Sequence, residues 1–436
     1  MTPLIPIPDD RSSRRRALAH FAGGFGSLAL AGLLSDEAQA GSGNAGDPLT
    51  ARQPHHVAKA KRVIFLFMTG GVSHVDSFDP KPKLVAGHGR SITVDNWQGK
   101  LGEFKRHLKR PDWTFRPGGQ SGIEVSDLFP RVRSIVDDLC VIRSMATDHT
   151  NHYESTLGMH CGSWTFARPS IGAWCSYGLG TTNRNLPSFM VLGPRTPYAG
   201  AQTWGSDFLP GCHQGTWVVP GANPIPNLRP RTSSDRLQRL ELELLGKANR
   251  RHLEQRTADR ALEARIRSFE TAFGMQREAP EAMDLGRETA STLKMYGIKP
   301  GQTSGFGWQC LVARRLAERG VRFIELIDVG SSANWDAHGD MATHGPLAQN
   351  VDGPIAALVT DLKQRGMLDD TLVVWTTEFG RTPYHEKADH RGREHHHQVF
   401  SSWMAGGGVK PGMVYGSSDP LGIDVAEQKV HVHDFH

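Results

Sequence analysis

Thr371-Leu372-Val373-Val374-Trp375-Thr376-Thr377-Glu378-Phe379-Gly380-Arg381-Thr382-Pro383 is the stretch on which the fold reading turns. Its first five residues are β-branched or apolar on both alternating faces, the mark of a strand covered on both sides in a parallel sheet. Glu378 then emerges where open α/β sheets gather their ligand-binding residues. Outward from there the same grammar repeats. Val63 to Met68 is an apolar run bounded by Thr69-Gly70-Gly71, Leu139 to Met145 is a second strand, and Arg322 to Ile327 a third. Helical spacing covers Ser126–Asp138, Gln309–Arg319 and Pro346–Arg365. A charged stretch, residues 233–274, carries Leu237, Leu240, Leu244, Leu253, Leu262, Ile266 and Phe269 on one helical face and reads as an insertion packed on the sheet. The expected fold class is α/β, a doubly wound, mostly parallel sheet with a helical insertion.

The 436 residues leave ample length for a large core. The formal charge of +5 is mild, and no basic patch is interleaved with aromatics, so nucleic acid is excluded as a partner; an anionic small molecule or polysaccharide suits the balance better. Five cysteines without a C-x-x-C pair support neither a zinc ribbon nor a dense disulfide scaffold. Ser13-Arg14-Arg15-Arg16-Ala17-Leu18, a Gly/Ala/Leu stretch to Leu34 and Ala38-Gln39-Ala40 make residues 1–40 an export signal of the twin-arginine type. The expected location is periplasmic or extracellular, with the twin-arginine machinery as a partner and an uncleaved signal as the membrane contact. Residues 41–61 read as a linker and 62–436 as the folded domain.

Acidic and imidazole residues fall in four loops, each next to an expected strand: Asp76 and Asp79; Asp336, His338, Asp340 and His344; Glu378; and His395 with His396. Ten of the 21 histidines lie at or after His338, so the clustering is not merely compositional. Carboxylates mixed with imidazoles suit a divalent metal such as Zn or Mn, as one or two ions. Single loop residues of this kind are also common turn formers. Arg381 either pairs with Glu378 or neutralises a substrate anion. Thr147, Thr150, His152 and Ser155 stand near the start of a helix after Met145, where a hydroxyl serves as nucleophile or as helix cap. Thr150, His152 and Arg381 are the expected catalytic groups.

With these residues placed, the chain resembles a large family of exported bacterial proteins known as domain of unknown function 1501. The matching stretches are Thr69 to Pro82, His149 to Gly162, Ile171 to Trp174, Trp335 to His338, Asp361 to Gly366, Thr377 to Pro383, Gly392 to His396 and Ala405 to Gly408. That family resembles the alkaline phosphatase and sulfatase superfamily, which implies an alkaline-phosphatase-like fold and metal-dependent cleavage of phosphate or sulfate esters. On that pattern Asp76, Asp336, His338 (or Asp340 and His344), Glu378 and His395 or His396 would be metal ligands. Glu378-Phe379 stands where many relatives have Asp-His, and no cysteine begins C-x-P-x-R, so formylglycine chemistry is not available. A noncatalytic exported protein binding anionic polysaccharide or cell-envelope material is the alternative. Val430 to His436 resembles a segment that opens a further helix in the family, which implies a truncated carboxyl terminus.

Overall fold

The computed structural model describes residues 48–436 except 98–99, 227, 229–233 and 255–259; the expected export signal lies outside the described residues. Nine of the described strands form one sheet: β1 (Arg62–Phe67), β2 (Leu139–Ala146), β3 (Phe189–Leu192), β4 (Thr216–Val218), β5 (Phe323–Ile327), β6 (Thr371–Thr376), β7 (Phe400–Ala405), β8 (Met413–Tyr415) and β9 (Val430–His431). Their order is β8-β2-β7-β6-β1-β5-β3-β4, with β9 also pairing with β2. Every pairing is parallel except those of β7, which runs antiparallel to both β6 and β2. The fold is therefore the mixed α/β, mostly parallel sheet that the apolar strands predict.

Strand β1 shows why the sheet is buried on both sides. Ile64 and Leu66 join Leu311 and Leu316 of α5 (Phe306–Glu318) and Leu358 of α6 (His344–Gln364) in one core. Phe65 and Phe67 point the other way and pack with Met159 of α1 (His152–Cys161) and Ile171 of α2 (Ile171–Leu179). Successive side chains on opposite faces thus meet helices on both. Among the described residues no helix is long and apolar enough to cross a membrane.

Two expectations need correction. The spacing over Ser126–Asp138 does not give one helix: only Pro130–Arg133 is α-helical, followed by a 3-10 turn at Val136–Asp138. Pro130 disfavours helical geometry at Phe129, and the Asp352 carboxylate accepts the backbone N–H groups of Arg131 and Val132, fixing the start there. The insertion does form two helices, α3 (Asp235–Glu254) and α4 (Arg260–Met283). Met275, Ala279 and Ala282 of α4 join the main core, but Leu237, Leu240 and Leu244 of α3 face solvent rather than the sheet.

The direction of β7 positions the site. Parallel strands β1, β2, β5 and β6 deliver the residues that follow them to one edge, and antiparallel β7 delivers those that precede it to that same edge. Here the loops pack closely. Gly70 has φ +116°, and a Cβ on it would lie 2.7 Å from the backbone nitrogens of Trp335 and Asp336; on Gly71, φ +82°, it would lie 2.7 Å from the Phe379 ring. Both positions require glycine. Gly71→Ala is expected to lower stability by about 1–3 kcal/mol, the usual cost of overpacking, measured by urea unfolding.

Candidate metal centre

His152 opens α1 with its ring turned inward. Its Nδ1 donates to Glu378 Oε1 at 2.8 Å, and the same oxygen accepts Gly70 N–H at 2.8 Å. A carboxylate only accepts, so a hydrogen sits on Nδ1, and in the neutral ring Nε2 carries the lone pair. That Nε2 is buried and makes no hydrogen bond, though it lies 3.3 Å from Asp336 Oδ2. His395 is built the same way: its Nδ1 donates to the Thr150 carbonyl at 2.6 Å and its Nε2 lies 3.1 Å from Asp336 Oδ1. His338 repeats the pattern nearer solvent, with Nδ1 2.8 Å from Glu394 Oε2 and Nε2 2.9 Å from Asp336 Oδ1 and from His395 Nε2. Three imidazoles are thus oriented from behind by acceptors, as metal-ligating histidines are.

Electrostatics follow from this crowding. Burial opposes ionisation of Asp336, but His152, His338, His395 and the Arg381 cation outweigh it and hold the carboxyl well below the usual carboxylate range. For His152, burial disfavours the cation, and the carboxylates of Asp336 and Glu378 outweigh it, so its pKa is raised. Hydrogen bonds to Asp336 and Glu394 push His338 up to about 9, while burial takes His395 down to about 4. The His338 hydrogen bond in turn lowers Glu394 to about 2.

Asp336 and His395 come together in this cluster, with His338 at its solvent side. Glu378, expected as a ligand, instead orients His152 from behind, and its Oε2 accepts the Thr377 hydroxyl. Arg381 pairs with Asp336 rather than Glu378. It is fully buried, bonds Asp336 Oδ1 at 2.6 Å and braces the turn through the carbonyls of Gly70 and Gly71. Asp76 is drawn away by Arg393, whose Nε donates to Asp76 Oδ2 at 2.7 Å, while Ser73 Oγ also donates to Oδ2 and Asp112 N to Oδ1. His344 Nε2 accepts Ser73 N–H at 3.3 Å, and His396 Nε2 donates to the Ile423 carbonyl at 2.7 Å. Both are spent on holding loops together. Thr150 meets the site through its backbone carbonyl.

Residues that the sequence reading missed include Glu394, the support of His338, which its place next to His395 could have flagged. Tyr198, stacked on His152 at 4.1 Å, has no signal in its own stretch. Phe379 packs 4.8 Å from the His152 ring and 4.5 Å from the His395 ring, filling the space beside them.

Burial also sets a pH dependence. It pushes His74 down to about 4, and His344 and His396 to about 3. The unfolded chain takes up these protons below about pH 6.5, so the native state loses stability as pH falls from there toward 4. The urea midpoint is expected to drop steadily over that window; a flat midpoint would contradict neutral burial of these rings.

A sequence model for a family described as protein of unknown function (DUF1501) matches residues 60–436. No curated protein matches the chain. Among solved structures it is similar to a magnesium-bound mutant of the alkaline phosphatase of the Antarctic bacterium TAB5, with 12% identity, 84% of this chain and 96% of that one covered, and a TM-score of 0.37. It is also similar to a Pseudoalteromonas sulfatase (12% identity, 91% and 69% covered, TM-score 0.31). The lipoteichoic acid synthase LtaP of Listeria monocytogenes matches at 8% identity, with 88% and 79% covered and a TM-score of 0.31.

Proposed function

From a chain that belongs to the family described as protein of unknown function (DUF1501), a description that names no activity, we propose a metal-dependent hydrolase of phosphate or sulfate esters, or a related anionic ester, acting after export. The observation that carries this reading is the set of imidazoles anchored through Nδ1 with their Nε2 atoms turned onto Asp336. Two imidazoles and a carboxylate, His152, His395 and Asp336, offer donor atoms all within 4.8 Å of one another, a set that fits Zn or Mn. A divalent ion held there would polarise the ester oxygen as a Lewis acid.

The chain's own groups supply the rest. Glu378 and the Thr150 carbonyl fix the two rings, and Arg381 steadies Asp336 from the buried side. His338 is 40% exposed, and its ring, held between Asp336 and Glu394, can pass a proton to a leaving oxygen. Ser155 spends its hydroxyl on the His149 carbonyl, which favours solvent water as nucleophile. Formylglycine chemistry has no candidate here: burial pushes the Cys161 thiol up to about 12, and its flanking residues do not match the required segment. Export rests on the amino-terminal signal sequence.

One observation favours the alternative, a noncatalytic binder of anionic envelope polysaccharide: Phe379 packs against His152 and His395 where a second polar group would otherwise stand. Aryl phosphate and aryl sulfate turnover by metal-loaded protein, with and without a chelator, separates the two. Chelator-sensitive release of the aryl alcohol is expected. Metal-loaded protein that turns over neither ester would leave the binding reading.

A further inference from the structure

Nitrogens and oxygens that face one another without a hydrogen between them need a cation. In their neutral forms His152 and His395 both offer an Nε2 lone pair, because each ring's Nδ1 hydrogen is committed to an acceptor that cannot donate. Asp336 between them is a carboxylate. The separations of 3.3 Å and 3.1 Å from its two oxygens to these nitrogens match the roughly 3.3 Å between neighbouring ligands around an ion with bonds of about 2.0–2.1 Å. His152 Nε2 is also buried without any hydrogen-bond partner, an orphan that an ion would satisfy.

The remaining acidic and imidazole groups are spent elsewhere. Asp76 is neutralised by Arg393, and His344 and His396 are committed to Ser73 N–H and the Ile423 carbonyl. A second Asp-His-His group, Asp148, His431 and His433, lies near the surface. There the tautomer is wrong: His431 Nδ1 accepts the His433 backbone N–H at 3.2 Å, so its Nε2 carries the hydrogen that Asp148 Oδ1 accepts at 3.0 Å. No lone pair of His431 is left for an ion.

We propose that the centre is mononuclear: one divalent ion on His152, Asp336 and His395, with Glu378, Arg381 and the Thr150 carbonyl as positioning groups and no second ion. This deepens the hydrolase reading and rests on the same cluster. Three protein ligands leave a coordination position open, the feature that distinguishes catalytic from structural zinc sites. His338 stands at that open side rather than among the ligands.

Elemental analysis and titration of the full chain with Zn²⁺, and with Co²⁺ followed by its visible absorption, test this. One ion per chain is expected, with binding abolished in His152→Ala. Glu378→Gln should keep the one-ion stoichiometry while weakening affinity roughly 10–100-fold, as loss of a supporting partner does. His338→Ala and Asp76→Asn should each still bind one ion. Cooperative thermal unfolding of each variant shows that it is folded. Two ions per chain would overturn the proposal, as would loss of binding in His338→Ala with retention in folded His152→Ala. One ion bound without ester turnover would sink the hydrolase reading and leave the mononuclear centre standing; two ions with turnover would do the reverse.

Discussion

Arg393→Ala is expected to destabilise the protein by about 3–5 kcal/mol in urea unfolding at neutral pH, the usual cost of breaking a buried ion pair from one side. Arg393 and Asp76 are both fully buried. The guanidinium donates to Asp76 Oδ2 and to the carbonyls of Lys109, Arg110 and Thr382, stitching the loop after β1 to the segment before β7. Truncation leaves a carboxylate out of water with its cation removed. Burial alone raises the Asp76 pKa; Arg393 and Ser73 reverse that and hold it below the ordinary value. A depressed carboxyl pKa contributes stability that is present above about pH 3.9 and lost as pH falls through the folded value. The stability difference between wild type and variant should therefore shrink in acid. Replacing both partners, Arg393→Met with Asp76→Leu, should recover much of the loss, because no charge is then stranded. A single-variant cost under about 1 kcal/mol would mean that Asp76 has another partner and could serve as a ligand.

His152→Ala is expected to lower kcat/KM for an aryl ester by at least about 10³-fold, some 4 kcal/mol of transition-state stabilisation, with the bound metal lost. The effect is large because the alanine removes both a donor nitrogen and the ring that Glu378 holds in place. Glu378→Gln separates the two roles. It keeps His152 but exchanges a carboxylate for an amide, so activity should fall and then recover when excess metal is supplied. Added metal should not rescue His152→Ala. Equal rescue of both variants would contradict direct ligation by His152.

Much of the scaffold was legible along the chain. Apolar runs at Val63–Met68 and Thr371–Trp375 became the adjacent parallel strands β1 and β6, because a strand buried on both faces needs no polar alternation. Nothing local to Phe400–Ala405 says which way β7 runs. Its antiparallel setting comes from pairing with β6 and β2, and that setting brings His395 to the edge where Asp336 arrives from β5. The Ser126–Asp138 helix failed because a proline and a distant Asp352 cap outweighed local periodicity. The exposed leucines of α3 show the converse: periodicity marks an apolar face without saying what covers it.

For the site, residue type and loop placement determined the chemistry on offer, and the sequence alone pointed to carboxylates and imidazoles gathered at one sheet edge. Which of them are donors was decided by tertiary contacts. An imidazole binds an ion only through a nitrogen left without hydrogen, and that depends on what its other nitrogen meets. For His152 the partner is Glu378, 226 positions away. For Asp76 a buried arginine 317 positions on removes a carboxylate that looks identical in sequence to Asp336. Such choices rest on side-chain geometry at the ångström scale, which local pattern does not encode.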